Sequence, residues 1–252
     1  MVFDFQGKRV IVCGGSRGIG RAIAIGFAEA GADVSICARG AETLEQTRAE
    51  IARFGHLAHA GTCDLGNAEA IGRYIAGAAK ALGGIDVLVN NASAFATTDD
   101  AAAWSASMAI DMMAIVHASH AALPFLRESK GSIVNTSSIS ALRPAGRQPP
   151  YGAIKAAAIH YTGTQAQLYA REGIRVNAVA PGSIEFPGGV WDRRKNEDPE
   201  ALPGGLQALS VRPARPSGGG RQCRTVPRPP ARRLGHGADD HGGRRPKSGR
   251  VE

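Results

Sequence analysis

The sequence predicts an α/β fold in which helices cover both faces of a doubly wound parallel sheet. Short apolar runs alternate along the chain with longer segments whose apolar residues recur at helical spacing. A glycine-rich turn, residues 14–20, joins the first run to the first helical segment. The chain has 252 residues, which suits a single domain with a sizeable core.

Six strands and five main helices are expected in order. The predicted strands are 8–13, 32–38, 57–62, 85–89, 132–136 and 175–179. The predicted helices are 21–30, 41–54, 67–82, 101–127 and 151–172. Polar motifs follow the strands at their carboxyl ends, where parallel sheets bind ligands. We therefore expect the motifs to form one site.

The glycine-rich turn fits a site for the phosphates of a dinucleotide. Glycines let the backbone approach a pyrophosphate, and the N-terminus of the following helix stabilises its charge. The spacing is G-x-x-x-G-x-G rather than G-x-G-x-x-G, and such a cluster alone is often only a turn. Its position between a strand and a helix favours the phosphate interpretation. The candidate residues are Gly14, Ser16, Arg17, Gly18, Ile19 and Gly20.

Arg39 suggests which dinucleotide is bound. In nucleotide-binding crossovers, a carboxylate near the end of the second strand binds the ribose 2′-hydroxyl. Here Ala38-Arg39 occupies that position, and Arg17 adds a second guanidinium nearby. Two arginines favour a 2′-phosphate, so NADP(H) is preferred over NAD(H). Alternatively, Arg39 only begins the solvated loop before the next helix.

Tyr151 and Lys155 are candidates for proton-transfer chemistry. Residues four apart share one face of a helix, and Pro149-Pro150 suits a helix start. A lysine ammonium beside a tyrosine is expected to lower its pKa from about 10 and allow proton exchange near neutral pH. Ser138, thirteen residues before Tyr151, can bond the same substrate oxygen. A surface tyrosine and lysine on one helix is the alternative interpretation of this spacing.

Together these motifs resemble the short-chain dehydrogenase/reductase family, including its 3-oxoacyl reductases. The resemblance covers about residues 7–211, predicted to form one Rossmann-like domain. It implies hydride transfer between a nicotinamide and a ketone or secondary alcohol, with Tyr151 as acid/base, Ser138 on the substrate oxygen and Lys155 on the cofactor ribose. The other motif residues that it assigns to the cofactor are Asp64, Leu65, Asn90, Pro181, Gly182 and Ile184. Phe186, Val190 and Trp191 fall in the segment that covers the substrate in this family.

Two positions depart from the family pattern. Cys13 replaces the usual threonine before the first glycine, at the expected loss of one local hydrogen bond. Asp111 stands where the family has an asparagine whose bound water connects to the lysine. A carboxylate accepts hydrogen bonds but cannot donate as an amide does, and its charge opposes a lowering of the Tyr151 pKa. Asp111 remains a candidate fourth catalytic residue.

Residues 212–252 form a basic tail rich in proline, glycine and arginine. They hold 11 Lys and Arg against 3 Asp and Glu, whereas residues 1–211 hold 19 of each. This composition predicts disorder. The arginines would suit a nucleic-acid-binding arm, but the tail has no aromatic residue and the body is balanced. No nucleic-acid partner is therefore expected.

The tail also fits a shift of the reading frame near Arg212. When residues 213–227 are back-translated and their codons are read one base later, the shifted frame permits the sequence RLGRPEEVANAVLFL. The same procedure on residues 234–247 permits the sequence WVTGQMITVDGGQS. Both are similar to the last helix and strand of the family. We therefore hypothesise that residues 212–252 are a frameshift product. Sequencing the DNA across codons 210–216 tests this, and an unbroken frame encoding the tail would contradict it.

The remaining expectations concern location and assembly. The four cysteines form no close pair, and neither a signal peptide nor a membrane-spanning run is expected, which predicts a cytoplasmic protein. His117 and His120 lack further ligands at a suitable spacing, so no metal is predicted. The resemblance implies a homo-oligomer. The present sequence is expected to form a dimer, and a chain with the reading frame of its tail restored is expected to form a tetramer. A cofactor-binding sensor or interaction protein with little catalysis is the alternative function.

Overall fold

Six parallel strands form the central sheet of the computed structural model, in the order β3-β2-β1-β4-β5-β6. The structure describes residues 3–144, 146–192 and 207–208. The strands are β1 Arg9–Cys13, β2 Asp33–Ala38, β3 Ala58–Thr62, β4 Val87–Asn90, β5 Ser132–Thr136 and β6 Arg175–Val179. Short β7 (Ile184–Glu185) and β8 (Gln207–Ala208) pair separately. The predicted fold class is confirmed. The predicted tail, 212–252, lies outside the described residues.

Helices connect successive strands of the sheet. They are α1 Gly18–Glu29, α2 Ala41–Ala52, α3 Ala68–Leu82, α4 Ala101–Ser107, α5 Ala114–Ser129 and α6 Pro149–Tyr169. Single 3-10 turns span Ile139–Ala141 and Ala170–Glu172. The first helix starts three residues before its predicted position, inside the glycine-rich turn. α6 starts at its two prolines, as expected of residues whose missing N–H groups need no helical partner.

The predicted helix 101–127 is interrupted by a π-helical turn. Residues Met108–Met113 adopt i→i+5 geometry between α4 and α5. Such turns insert one extra residue and often occur at functional sites. The turn includes Asp111, whose side chain is fully buried. The uniform apolar pattern of this segment gave no sign of the interruption.

Both faces of the sheet are buried, each under its own helices. Along β1, Val10 and Val12 face the cluster beneath α1 and α2, whereas Ile11 and Cys13 face the cluster beneath α3 and α5. Alternate residues of a strand point to opposite faces, so continuous apolar strands are typical of a sheet covered twice.

The helical segment 101–129 meets a length and composition criterion for crossing a membrane, contrary to the expectation that no run would. Its most apolar window has a mean hydropathy of 1.3, and 44% of that window is buried within the protein. Ala114, Ala118, Ala122 and Leu126 pack in the core beneath the sheet. This placement is typical of a core helix.

The strand order reverses between β1 and β4. Connections from β1 run outward through β2 and β3, and those from β4 run the other way through β5 and β6. A crevice forms at the carboxyl ends of the strands where two such halves meet, and ligands bind there in open α/β sheets. The glycine-rich turn and the residues after β4 flank this point.

Candidate active site

A cavity of about 540 Å³ lies at the carboxyl ends of the strands. It brings together most residues that the sequence singled out. Those lining it are Gly14, Ser16, Arg17, Ile19, Arg39, Asp64, Leu65, Ser138, Tyr151, Lys155, Pro181, Gly182 and Ile184. Gly18, Gly20, Asn90 and Asp111 are absent from its wall among the described residues. Thus motifs spread from residue 14 to residue 184 converge on one site.

The glycine-rich turn forms a close-fitting cradle. Gly14 has a φ of 81°, and a Cβ there would stand 2.9 Å from the backbone of Ala92. Gly18 has a φ of 55° and lies under the ring of Phe186, while a Cβ at Gly20 would strike the Gly14 carbonyl. Glycine at 18 and 20 therefore allows close packing of the turn rather than contact with the cavity.

The start of α1 suits a pyrophosphate. Arg17, its N-cap residue, makes no side-chain capping bond, and the first turn of this helix holds no acidic residue. Backbone N–H groups at such an end favour an anion. The cradle, which has no room for a Cβ at Gly14, and this uncapped helix start together fit the phosphates of a dinucleotide.

The far end of the cavity carries two guanidinium groups. Arg39 follows β2 and Arg17 belongs to the glycine-rich turn, and both line the cavity with Asp64 after β3. The Asp64 carboxylate accepts a hydrogen bond from the Gly66 N–H at 3.0 Å. Thr43 also lines this end, although no motif marked it in the sequence. The predicted cations therefore face the same cavity as the cradle.

Tyr151 and Lys155 lie one turn apart on α6 and point into the same site. The Lys155 Nζ donates to the Thr136 carbonyl at 2.8 Å and lies 5.8 Å from the centre of the Tyr151 ring. Tyr151 and Ser138 are almost completely buried, at 9% and 7% exposure. The Ser138 oxygen accepts from the Ser140 N–H at 3.1 Å, so its own hydrogen remains to donate.

Asp111 stands behind Lys155 rather than in the cavity wall. Its Oδ1 lies 3.1 Å from the Lys155 Nζ, and the two side chains are 0% and 2% exposed. This contact is an ion pair without hydrogen-bond alignment, since Oδ1 has no hydrogen-bond partner among the described residues. Its Oδ2 accepts from the Ala94 N–H at 3.1 Å. Asp111 thus links the lysine to the loop after β4.

The expected lowering of the Tyr151 pKa is wrong for this structure. Burial raises the pKa of Tyr151 above its ordinary value, the Ser138 hydroxyl lowers it, and the Asp111 charge raises it further. Desolvation disfavours the phenolate, and the ion pair with Asp111 offsets the positive charge of Lys155. The free protein therefore holds this tyrosine protonated at neutral pH.

Asn90 is placed differently from its expected position beside the cofactor. Its Nδ2 donates to the Asn135 Oδ1 at 2.9 Å, and its Oδ1 is buried without a partner among the described residues. Asn91 lines the cavity instead, and its Nδ2 donates to the Gly14 carbonyl at 3.1 Å. The side chains of Asn90 and Asn91 point to opposite faces of the strand end.

The amide of Asn135 continues this network into α6. Its Nδ2 donates to the Thr162 Oγ1 and to the Gln165 Oε1, both at 2.9 Å. All three side chains are at most 5% exposed. α6 is therefore joined to β5 well beyond its first turn.

Several lining residues carried no sequence signal of their own. They lie at or just after the ends of β4 and β5, next to motif residues, and include Ser93, Phe95, Thr136 and Ser137. Phe186, Val190 and Trp191, which the resemblance assigned to the substrate side, also line the cavity. Across the described residues, no group of three or more His, Cys, Asp and Glu side chains could hold a metal ion.

A crevice that fits a dinucleotide, with a buried tyrosine, serine and lysine, defines a nicotinamide-dependent oxidoreductase. Comparison with known proteins identifies the family. A family profile described as short chain dehydrogenase matches residues 8–198. The chain belongs to the short-chain dehydrogenase/reductase family, whose members are NAD(P)-dependent oxidoreductases acting on small molecules.

Individual relatives cover most of the chain. It is 35% identical over 205 residues to an isoepoxydon dehydrogenase of Penicillium expansum, covering 77% of each protein. A rhamnolipid-biosynthesis 3-oxoacyl-[acyl-carrier-protein] reductase of Pseudomonas aeruginosa is 35% identical over 211 residues, covering 79% of this chain and 80% of the relative. A short chain dehydrogenase of Burkholderia cenocepacia, solved in complex with NADP, is 37% identical with a TM-score of 0.71, covering 76% and 82%.

Proposed function

We propose that the protein is an NADP(H)-dependent oxidoreductase that interconverts a ketone and a secondary alcohol, with Tyr151 as the general acid/base. The observation that carries this proposal is the arrangement of Tyr151, Ser138 and Lys155 at one wall of a cavity whose floor is the glycine cradle. When bound, the nicotinamide supplies the hydride acceptor or donor. The protein supplies the proton and the positioning.

In this proposal, each polar side chain has a separate task at the substrate oxygen. The Ser138 hydroxyl donates a hydrogen bond to it and fixes its position. The Tyr151 phenol gives its proton to that oxygen during reduction and takes it back during oxidation. Lys155, held by Thr136 and Asp111, binds the cofactor ribose and places a positive charge near the phenol. The Asp111 carboxylate, which lies outside the cavity wall, partly neutralises the positive charge of Lys155.

The cofactor residues are proposed by position. Gly14, Ser16, Arg17 and Ile19 hold the pyrophosphate, and Arg39 with Arg17 binds the 2′-phosphate of NADP(H). The remaining proposed contacts are the other lining residues of the motifs, Asp64, Leu65, Pro181, Gly182 and Ile184. The bound NADP of the Burkholderia relative supports this preference. NAD(H) remains the alternative cofactor.

The direct test replaces Tyr151 by phenylalanine, which keeps the ring and removes the proton donor. Turnover of a ketone panel should fall by at least ~10²-fold, while NADPH binding, followed by its fluorescence, should persist. Tyr161→Phe, on the same helix but outside the described cavity wall, is the matched control and should keep full turnover. Near-normal turnover in Tyr151→Phe would contradict the assigned role.

A second candidate function has two specific observations in its favour. The buried Asp111–Lys155 ion pair and the raised Tyr151 pKa both weaken proton transfer at neutral pH. They would suit a cofactor-binding sensor or interaction protein with little catalysis. Cofactor binding without turnover of any ketone by the wild type, with either cofactor, would favour this alternative.

The proposal includes organisation and location. The catalytic domain spans residues 1–211, and residues 212–252 are the frameshift product of a lost helix and strand. The domain acts in the cytoplasm as a homo-oligomer, with the 101–127 and 151–172 helices at its first two-fold interface. Small residues on these helices, such as Ala121 and Ala157, allow the close approach that this pairing needs.

A further inference from the structure

Phe95 adopts a backbone conformation that phenylalanine rarely takes. Its φ is 49°, in the left-handed region. Among the described residues other than glycine, Lys130 alone shares a positive φ, and it caps the end of α5, where this conformation is common. Phe95 ends no helix. Such strain persists only where surrounding structure maintains it, and it is often found at functional sites.

Two hydrogen bonds hold the backbone around Phe95. Its own N–H donates to the Ser93 Oγ at 3.0 Å, and the preceding Ala94 N–H donates to the Asp111 Oδ2 at 3.1 Å. The Asp111 carboxylate is fully buried in the π-helical turn and is also ion-paired with Lys155. The loop after β4 is therefore fixed to the same group that holds the catalytic lysine.

This backbone places the Phe95 ring against Tyr151. The two ring centres lie 5.0 Å apart, with the planes tilted by 56°. Both residues line the cavity, so one side of the site beside the phenol is an aromatic wall. Tilted aromatic pairs at this separation are favourable beyond their buried area. The energy of this contact offsets the strain at Phe95.

Apart from Lys155, the charged side chains of the described cavity wall follow β1, β2 and β3, on the other half of the sheet from Tyr151. Among its described lining residues, the charged ones are Arg17, Arg39, Asp64 and Lys155. Arg39 follows β2, which lies three strand positions from β5, or about 14 Å across the sheet. Lys155 is paired with Asp111. Beside Tyr151, the described wall includes the Phe95 ring.

We propose that Phe95 determines substrate specificity, and that the substrate is an uncharged ketone or secondary alcohol with a flat apolar ring next to the reacting carbon. This inference rests on the proposed function and names the substrate class of the same site. A flat ring can lie against the Phe95 side chain while the carbonyl oxygen reaches Tyr151 and Ser138. A carboxylate in this position would find only Lys155 as a cation, and Asp111 already pairs with that ammonium, so its burial would be costly.

The test compares two eight-carbon ketones, acetophenone with its flat ring and 2-octanone with a flexible chain. The wild type should prefer acetophenone in kcat/KM. Phe95→Ala should reduce that preference about tenfold or more through KM, because a flat contact surface is lost. Phe95→Leu, which keeps apolar volume without a flat face, should retain 2-octanone turnover and still lose the preference. Phe54→Ala, an aromatic truncation outside the cavity, should change neither.

Binding provides a readout that does not depend on turnover. Titration calorimetry of 1-phenylethanol onto each protein saturated with NADPH should give about tenfold weaker affinity for Phe95→Ala and unchanged affinity for Phe54→Ala. If the ratio of kcat/KM for the two ketones were the same in the wild type and in Phe95→Ala, the specificity role of Phe95 would be overturned and the proposed function would stand. If the wild type turned over no ketone at all, the proposed function would be rejected, and this inference with it.

Discussion

Replacing Asp111 by asparagine removes one buried negative charge and keeps an oxygen that can accept from the Ala94 N–H. The distances from Asp111 to Lys155 and from Lys155 to the Tyr151 ring place the carboxylate at most about 9 Å from the ring centre. At that separation and an effective dielectric constant of ~20, two unit charges interact by about 1.8 kcal/mol. Since 1.36 kcal/mol corresponds to one pKa unit, the Tyr151 pKa should fall by about one unit.

The pH dependence of kcat, measured at saturating cofactor in both directions, detects this change. Alcohol oxidation needs the phenolate, so its rate rises with pH through the Tyr151 pKa, and ketone reduction falls through the same value. Both inflections should move down by about one pH unit in Asp111→Asn. Glu69→Gln, which removes an exposed carboxylate on α3, should leave them unchanged. Superimposable profiles for wild type and Asp111→Asn would refute the electrostatic role of Asp111.

Three further predictions concern the cofactor, the scaffold and the tail. Arg39→Asp should weaken NADPH binding far more than NADH binding, whereas Arg53→Asp, at the end of α2, should not; an unchanged ratio would make Arg39 a loop residue. Burial raises the Asp86 pKa, but its bonds to the Arg9 N–H at 2.9 Å and side chain lower it more. Asp86→Asn should therefore cost about 1–3 kcal/mol of unfolding free energy at neutral pH, with the difference vanishing as pH falls below ~4; a constant gap would contradict this. By light scattering, the chain as written should be a dimer and the restored-frame chain a tetramer, since closed interfaces form independently; a stable tetramer with residues 212–252 as written would contradict the frameshift hypothesis.

The sequence predicted those parts of the site that depend on local spacing. Tyr151 and Lys155 share a helix face because of their separation, and the glycine-rich turn follows an apolar strand that only a sheet interior accommodates. Local spacing could not predict which of Asn90 and Asn91 has its side chain in the cavity wall. Which of two adjacent side chains faces the cavity depends on the register of β4 against its neighbours, which periodicity alone leaves open.

The features that the sequence did not predict arise from tertiary contacts. The π-helical turn at Asp111 has no periodic signature, and the ion pair of Asp111 with Lys155 joins residues that are distant in sequence. The raised pKa of Tyr151 follows from burial by the surrounding chain, which outweighs the lowering by the Ser138 hydroxyl. The left-handed conformation of Phe95 lies between two hydrogen bonds, from its own N–H to Ser93 and from the Ala94 N–H to Asp111, and no local propensity favours it.

The amide network of Asn135 bears on how the protein unfolds. Its bonds to Asn90, Thr162 and Gln165 tie β4 and β5 to the middle of α6, and none of them can open without exposing buried polar groups. The central turns of α6 should therefore exchange their amide hydrogens only when the sheet itself opens, as part of one cooperative unit. The start of α6 has its own bonds to the end of β5, because the Ser137 Oγ donates to the Lys155 carbonyl and the Lys155 Nζ donates to the Thr136 carbonyl. The residues proposed for proton transfer thus lie on a helix that is fixed to the sheet at its start and at its middle.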